Sequence, residues 1–568
     1  MTYEVWAPDA GRVDVVIDDE RHALESGAGG WWRGGPTATP GTDYAFSVNG
    51  GPPLPDPRSR HQPAGVHGPS RVADLSDAPQ AGIEVDLATA VIEEIHVGTF
   101  SREGTFDGAI THLDHLVELG VTAVELMPVH AFPGVHGWGY DGVDLWAVHD
   151  PYGGPAGMRR FVHAAHERGL AVIVDVVHNH LGPDGNYLAA FGPYFTDRFA
   201  TPWGDAVNLD GPDSDEVREF FVASAEAWFV DHGVDGLRLD AVHALLDTSA
   251  VHLLEELATR TAALGDRLGR RLTLIAESDL NDPRIIRGVA DGGYGLDAQW
   301  ADDLHHGLHV ALTGERTGYY EDYTGLADVA AALTQGYVYD GRYSAHRRRR
   351  HGRPLGGLPG SRLVGCLQNH DQVGNRAKGE RLVHLAGERR AAVGAVLLLT
   401  SPFVPMLFQG EEWGASTPFP YFTDHQDPGL AEAVRTGRRQ EWAAFGWDPD
   451  DIPDPQDPAT PRSAVLVWDE RDREPHRALL DLHRDLIDLR RSAGLHAGPL
   501  DEVVATADES AGTIVVERGG TVVVANLGDE AVGLDARGAT DVLLATDRVE
   551  LVAGRVEVVP ESAAVLRR

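Results

Sequence analysis

Asp240 and Arg238 stand two residues apart in the run "GVDGLRLDAVHAL" (233–245), which is otherwise largely apolar. On a strand, side chains two apart share a face. Taking both charges out of water is costly unless they are well paired. The same apolar-then-polar ending recurs three times. "DVVHNH" (175–180) brings Asp175, His178, Asn179 and His180. "IAESD" (275–279) brings Glu277 and Asp279, and "QNHDQ" (368–372) brings Gln368, Asn369, His370 and Asp371. Three carboxylates at one point, Asp240, Glu277 and Asp371, repel one another when all are charged, so at least one keeps a proton near neutral pH. Arg238 favours ionised Asp240, which leaves Glu277 as the natural holder of a raised pKa. One ionised carboxylate beside one neutral acid is the pair that cleavage of a glycosidic bond needs. His180 and His370 are candidate donors to sugar hydroxyls. Trp138 and Tyr140 in "GWGYDG" (137–142), with Tyr194, Trp203 and Trp300, offer flat faces on which sugar rings stack.

Something must carry these ends to one place. From about residue 91, β-rich apolar runs alternate with amphipathic helical ones. The runs predict strands over 91–97, 121–127, 170–177, 234–240, 272–278, 294–300, 362–370 and 404–410. Strands of this kind are buried on both faces and belong to a parallel sheet with helical crossovers. Eight such units predict an α/β fold, a (β/α)8 barrel, whose strand C-termini converge on one mouth; a doubly wound sheet is the structural alternative. The polar ends then face each other. A helix over 476–492 closes the barrel. Short strand runs separated by Gly and Pro predict a β-sandwich over 1–90 and another over 496–568, leaving 91–495 as the barrel with insertions, the longest at 411–474.

The chain has 568 residues, too many for one core. Its formal charge of −39 argues against nucleic acid or an anionic membrane as partner. It has one lysine, Lys378, a mark of a GC-rich genome or of adaptation to high salt. No apolar run is long enough for a membrane span, and "MTYEVWAPDA" lacks the basic flank and apolar core of a signal peptide. The only cysteine, Cys366, excludes an intrachain disulfide and reads as inert packing in the seventh strand. These features place the protein in the cytoplasm.

"DVVHNH", "GLRLDAVH", "IAESD" and "QNHDQ" resemble, in this order, the four conserved regions of the α-amylase superfamily of glycoside hydrolases. The resemblance implies that Asp240 is the nucleophile, Glu277 the general acid/base and Asp371 the third carboxylate. It implies that Arg238 holds the nucleophile, that His180 and His370 contact the reacting sugar, and that Tyr140 stacks beneath it. A retaining mechanism follows, with the two working carboxylates roughly 5 Å apart. Segments such as "EIHVGTFSREGTFDGAI" and "FQGEEWGASTPFPYFTDH" are most similar to the maltooligosyltrehalose trehalohydrolases. That resemblance implies hydrolysis of the α-1,4 bond next to the trehalose end of maltooligosyltrehalose, and maltooligosyltrehalose synthase as pathway partner. A glycogen-branching enzyme or amylase is the competing reading, and a non-catalytic glucan-binding protein a third. Trp138, Asp302, Asp303 and Glu412 join the expected substrate contacts, with Glu411 and Trp413 in the same cleft. No cofactor and no metal are expected: the segment 181–214 is short for a calcium cage, so Asn179 is expected to hydrogen-bond His180 or the sugar instead. The cluster "DDLHHGLH" (302–309) reads as a polar helix start, and "HRRRRHG" (346–352) as a solvated loop or a docking contact for an acidic partner.

Overall fold

The computed structural model describes residues 2–75, 82–443, 448 and 451–568 of the chain. Eight parallel strands close into a barrel: β1 (Ile92–Ile95), β2 (Ala123–Leu126), β3 (Ala171–Val176), β4 (Gly236–Leu239), β5 (Thr273–Ala276), β6 (Ala298–Trp300), β7 (Leu363–Cys366) and β8 (Val404–Phe408). Neighbours in sequence are neighbours in space, and β8 returns to β1 with Met406 opposite Ile92. Closure excludes the doubly wound alternative. The eight runs marked in the sequence are the eight strands, each shorter than its run.

Helices wrap the barrel: α1 (Gly154–Glu167), α2 (Ser214–Ala227), α3 (Leu253–Leu268), α4 (Asp302–Thr313), α5 (Leu326–Gln335), α6 (Leu382–Leu399) and α7 (His476–Ser492). In α2, Asp215 and Glu216 occupy the first turn, where the helix dipole favours carboxylates. A π turn over Trp228–His232 follows and ends at Gly233, whose φ of 76° turns the chain back into β4. The predicted closing helix is α7. It buries Leu480, Leu486 and Ile487, and its buried Arg490 donates to the carbonyls of Leu399, Ser401 and Phe403 at 2.7–2.9 Å. One arginine thus ties the end of α6 to the entry of β8.

Before the barrel, strands between Tyr3 and Arg71 join in one six-stranded antiparallel sheet. After it, a five-stranded and a three-stranded sheet enclose their own core of Val522, Val524, Val556, Val558, Ala564 and Leu566. Inside the barrel, alternate residues share the inward face. Ile92, Ala123, Ile173, Ile275, Ala298, Val364, Cys366 and Met406 make an apolar floor. Cys366 lies in that floor, and burial holds its thiol well above the usual range, so it stays protonated.

Candidate active site

Two residues above the floor, the inward positions turn polar: Glu94 on β1, Glu125 on β2, Asp175 on β3 and Arg238 on β4. One step higher stand Asp240 and Glu277. The period of two therefore builds a charged layer directly under a reacting layer.

Arg238 is the hub, with 0% of its side chain exposed. Its Nη1 donates to Asp175 Oδ2 at 2.6 Å and to Asp240 Oδ1 at 3.0 Å, and its Nη2 lies 3.0 Å from Glu277 Oε2. The Trp300 ring lies 4.1 Å from the guanidinium carbon, a cation–π contact. Arg238 is therefore shared among three carboxylates, where the sequence suggested a pair with Asp240 alone. The reason is register: β4 runs between β3 and β5, with Arg238 opposite Asp175 on one side and Ile275 on the other. Burial pushes the Asp175 carboxyl up to about 7, Arg238 opposing and Asp240 adding to the shift.

Asp240 is held on both oxygens. Asn179 Nδ2 donates to its Oδ2 at 2.7 Å and to its main-chain oxygen at 2.8 Å. The Oδ1 of Asn179 in turn lies 2.5 Å from His180 Nδ1, and His180 Nε2 lies 3.0 Å from the Tyr140 carbonyl oxygen. Asn179 thus bonds His180, as expected, and clamps Asp240 as well. Burial lowers the His180 pKa to about 4, so the ring is neutral; it stacks on Trp203 at 4.3 Å.

Glu277 Oε2 accepts the Ala241 N–H at 2.7 Å and also faces Arg238. That oxygen is thereby committed as an acceptor, and the acid proton belongs on Oε1. Burial raises the Glu277 pKa; Arg238 opposes the shift and Asp240 adds to it. Ala241 has φ 38° and ψ 52°, a left-handed conformation that costs an L-residue roughly 1–2 kcal/mol. The strained turn is what aims its N–H at Glu277.

Asp371 follows Asn369, whose side chain caps the short helix His370–Gly374. Its side chain is 37% exposed and opens to the cleft. Loss of hydration there raises its pKa, His370 opposing and Glu277 adding. Tyr140 donates to Asp175 Oδ2 at 2.6 Å and stacks on His370 with ring centres 5.0 Å apart. Asp302, at the start of α4, belongs to the same field: burial, Glu277, Asp279, Asp303 and Asp371 all push its pKa well up.

Three expected contacts lie elsewhere. Asp303 is buried, and Oδ2 accepts from Asn281 Nδ2 and from the N–H groups of Val338 and Tyr339 at 2.6–2.8 Å, while Oδ1 accepts from Tyr323. Both oxygens are bonded to protein and the residue is buried, so Asp303 braces the 338–339 segment and does not face the cleft. Glu412 has 0% of its side chain exposed and pairs with His115 Nε2 at 2.8 Å behind β8; Trp413 is buried beside it. Gly410, with φ 80°, turns the chain away from the mouth there. Trp138 is buried, donates to the Pro420 carbonyl and sets its ring edge-on to His370, supporting that ring from behind. Asp303→Ala is expected to cost about 2–4 kcal/mol in urea unfolding, because it orphans several buried donors, while KM for substrate stays within about twofold. A raised KM at unchanged stability would make Asp303 a substrate contact after all.

Two of the three histidines of "DDLHHGLH" have hydrogen-bond partners of their own: His305 bonds Leu367 O and Tyr320 Oη, and His309 pairs with Glu315, while His306 packs among Tyr319, Tyr320 and Tyr323. The basic run is not a free loop throughout. Arg347 Nη2 donates to Asp279 Oδ2 at 3.1 Å and His351 Nε2 to Asp279 O at 2.7 Å, so the hairpin lies against the end of β5; Arg348, Arg349 and Arg350 stay exposed. Sequence reasoning assigned no role to Glu94. In "VIEEIHV" nothing separates it from Glu93 until the barrel shows which one points inward.

Comparison with known proteins bears on this geometry. The alpha amylase catalytic domain model matches residues 72–192. A malto-oligosyltrehalose trehalohydrolase of Arthrobacter ramosus is 51% identical, covering 100% of this chain and 99% of that protein. The chain belongs to the malto-oligosyltrehalose trehalohydrolase family, within the α-amylase glycosidases. A second member, from Rhizobium sp. strain M-11, is 48% identical over 100% of this chain and 97% of its own length. Among solved structures, a putative alpha amylase from Salmonella typhimurium superposes with a TM-score of 0.92 at 36% identity, covering 100% of this chain and 97% of the other. Both the family expectation and the barrel expectation from the sequence hold.

Proposed function

We propose that this protein is a retaining glycosidase that hydrolyses the α-1,4-glucosidic bond next to the trehalose end of maltooligosyltrehalose and releases trehalose. The observation that carries the chemistry is the fork of Arg238, with Asp240 on Nη1 and Glu277 on Nη2. Two carboxylates on one guanidinium are set close together, which suits a nucleophile and its acid more than the wider pair that an inverting enzyme needs. Asp240, bound by Arg238 and Asn179, is the ionised nucleophile. Glu277 gives the proton on Oε1 to the departing oxygen as Asp240 attacks the anomeric carbon; the glycosidic C–O bond breaks and a glycosyl ester forms on Asp240. Glu277 then takes a proton from water, and that water cleaves the ester. Asp371 and His370 hold the sugar at the reacting subsite through its hydroxyls. Tyr140, braced on Asp175, supplies the flat platform, and His180 and Asp302 line the cleft.

Full-length likeness to trehalohydrolases supports the choice of bond and substrate. The synthase that makes maltooligosyltrehalose is the pathway partner. Among the described residues no helix is long and apolar enough to cross a membrane; the single buried thiol supports a cytoplasmic setting. Incubation with maltotriosyltrehalose is expected to release free trehalose and maltotriose. Amylose incubated in parallel is expected to be a poor substrate. New branch points on amylose, with no trehalose from the first substrate, would replace this reading with that of a branching enzyme.

A further inference from the structure

His370 is held in an unusual way for a residue that faces a sugar. Glu94, at the inward position of β1, accepts from His370 on both of its oxygens: Oε1 from Nδ1 at 2.5 Å and Oε2 from the main-chain N–H at 2.9 Å. Side chains of both residues are 1% exposed. The far ring nitrogen, Nε2, lies 3.6 Å from Asp371 Oδ1, on the cleft side. The ring is fixed on its remaining sides as well: Tyr140 stacks on one face, Trp138 meets it edge-on, and Trp300 lies 6.0 Å away.

We propose that Glu94 is a positioning residue for the hydrolysis, one that locks the His370 ring and keeps a proton on both of its nitrogens, so that Nε2 always presents a donor to the sugar and to Asp371. A carboxylate with one oxygen on Nδ1 favours the imidazolium, and its second oxygen on the same residue's main-chain N–H fixes the orientation of the pair. A neutral histidine here would carry a proton on only one nitrogen, and the strong Nδ1–Glu94 bond would claim it. Nε2 would then be an acceptor facing a carboxylate, which is repulsive.

The charges around His370 agree with this. Burial pulls its pKa down, but Glu94 and Asp371 outweigh burial and hold it at about 9; Arg238 acts in the same direction as burial. Glu125 on β2 is also near, but burial and Glu94 push its pKa well up, so it stays a neutral acid. Tyr140 is likewise neutral, its hydroxyl pushed well up by burial and Asp175. His96 is kept neutral by burial, its pKa lowered to about 4. The carboxylate bonded to His370 from below is therefore Glu94, and the one that Nε2 faces from above, at 3.6 Å, is Asp371.

This inference rests on the hydrolase reading, so its test has one arm that needs no substrate. Glu94→Gln keeps the shape of the side chain and one acceptor oxygen, but it removes the charge and replaces the second acceptor with an NH2 donor. Nitrogen NMR of the imidazole, with His370→Gln as the assignment control, should show both nitrogens protonated at pH 7.5 in the parent protein. In Glu94→Gln the ring should carry a single proton at that pH. On maltotriosyltrehalose, kcat/KM of Glu94→Gln is expected to fall roughly tenfold to a hundredfold at pH 8, the worth of a hydrogen bond to a charged group. The deficit should shrink toward pH 5.5, where His370 regains its proton, and Glu94→Asp should recover part of the loss. A merely structural role would lower the melting temperature and scale activity with the folded fraction at every pH. Unchanged imidazole shifts together with a parallel pH profile would overturn the proposal. Normal shifts in the parent protein with no trehalose released would instead strike the hydrolase reading and leave the Glu94–His370 pair standing.

Discussion

Asp240→Asn is expected to lose trehalose release by about 10⁴-fold or more, the usual scale for removing a group that forms the covalent bond. The fold should hardly notice. An amide oxygen still accepts from Arg238 Nη1; the new NH2 meets the Asn179 donor and loses that bond, but the substitution also removes one charge from a cluster of three carboxylates around one guanidinium. Folding is therefore expected to be as stable as in the parent protein within about 1 kcal/mol, or slightly more stable. A second consequence concerns Glu277. Asp240 is one of the charges that raise the Glu277 pKa, so in Asp240→Asn that pKa should fall. Single-turnover assays and urea melts on the same preparation check both halves. Near-normal turnover would remove Asp240 from the nucleophile's role.

Arg238→Leu is expected to do the reverse: damage the fold and the activity together. It leaves Asp175, Asp240 and Glu277 around an empty apolar volume. Breaking a buried pair by deleting one partner costs about 3–5 kcal/mol, since the remaining charges stay buried. The damage should depend on pH in a defined direction. Asp175 titrates near 7 in the folded protein against 3.8 as its unperturbed value. Between those values the native state binds a proton that the unfolded chain does not, so stability falls as pH rises through that interval and levels off above it. Arg238 is the group that pulls the Asp175 pKa down. Without it the interval extends upward, and above pH 7 the variant should lose stability more steeply than the parent protein. Urea unfolding at pH 5, 7 and 9 tests this; parallel pH curves for the two proteins would contradict the shared-hub picture.

Much of the site was legible because strand periodicity carries position as well as structure. Arg238 and Asp240, or Ile275 and Glu277, are two apart, and a barrel strand turns that spacing into a shared inward face. The four polar endings could be read as one mouth for this reason. What remained hidden depends on which way a chain turns once it leaves a strand. Glu93 and Glu94 are adjacent and chemically alike, yet Glu94 clasps His370 while Glu93 is buried on the opposite side of β1. Asp302 and Asp303 open one helix, and the helical turn sends the first to the cleft and the second to Asn281 and Tyr323. Glu412 was misplaced because the direction taken after Gly410 is a property of one backbone angle and not of residue type. Arg347 looked like part of a solvated run because its carboxylate partner, Asp279, lies far away in sequence.

The grip on Asp240 bears on more than its charge. Each of its oxygens receives a hydrogen bond, from Arg238 on one side and Asn179 on the other. Such bonds stabilise the free anion more than an ester of it, because the ester carries no charge to meet them. A carboxylate held this way attacks more slowly and departs more readily. With Asp240 as nucleophile, the clamp evens out the two halves of the catalytic cycle: it restrains formation of the glycosyl ester and hastens its breakdown. The covalent intermediate should therefore be short-lived, with little of the enzyme resting in it at steady state.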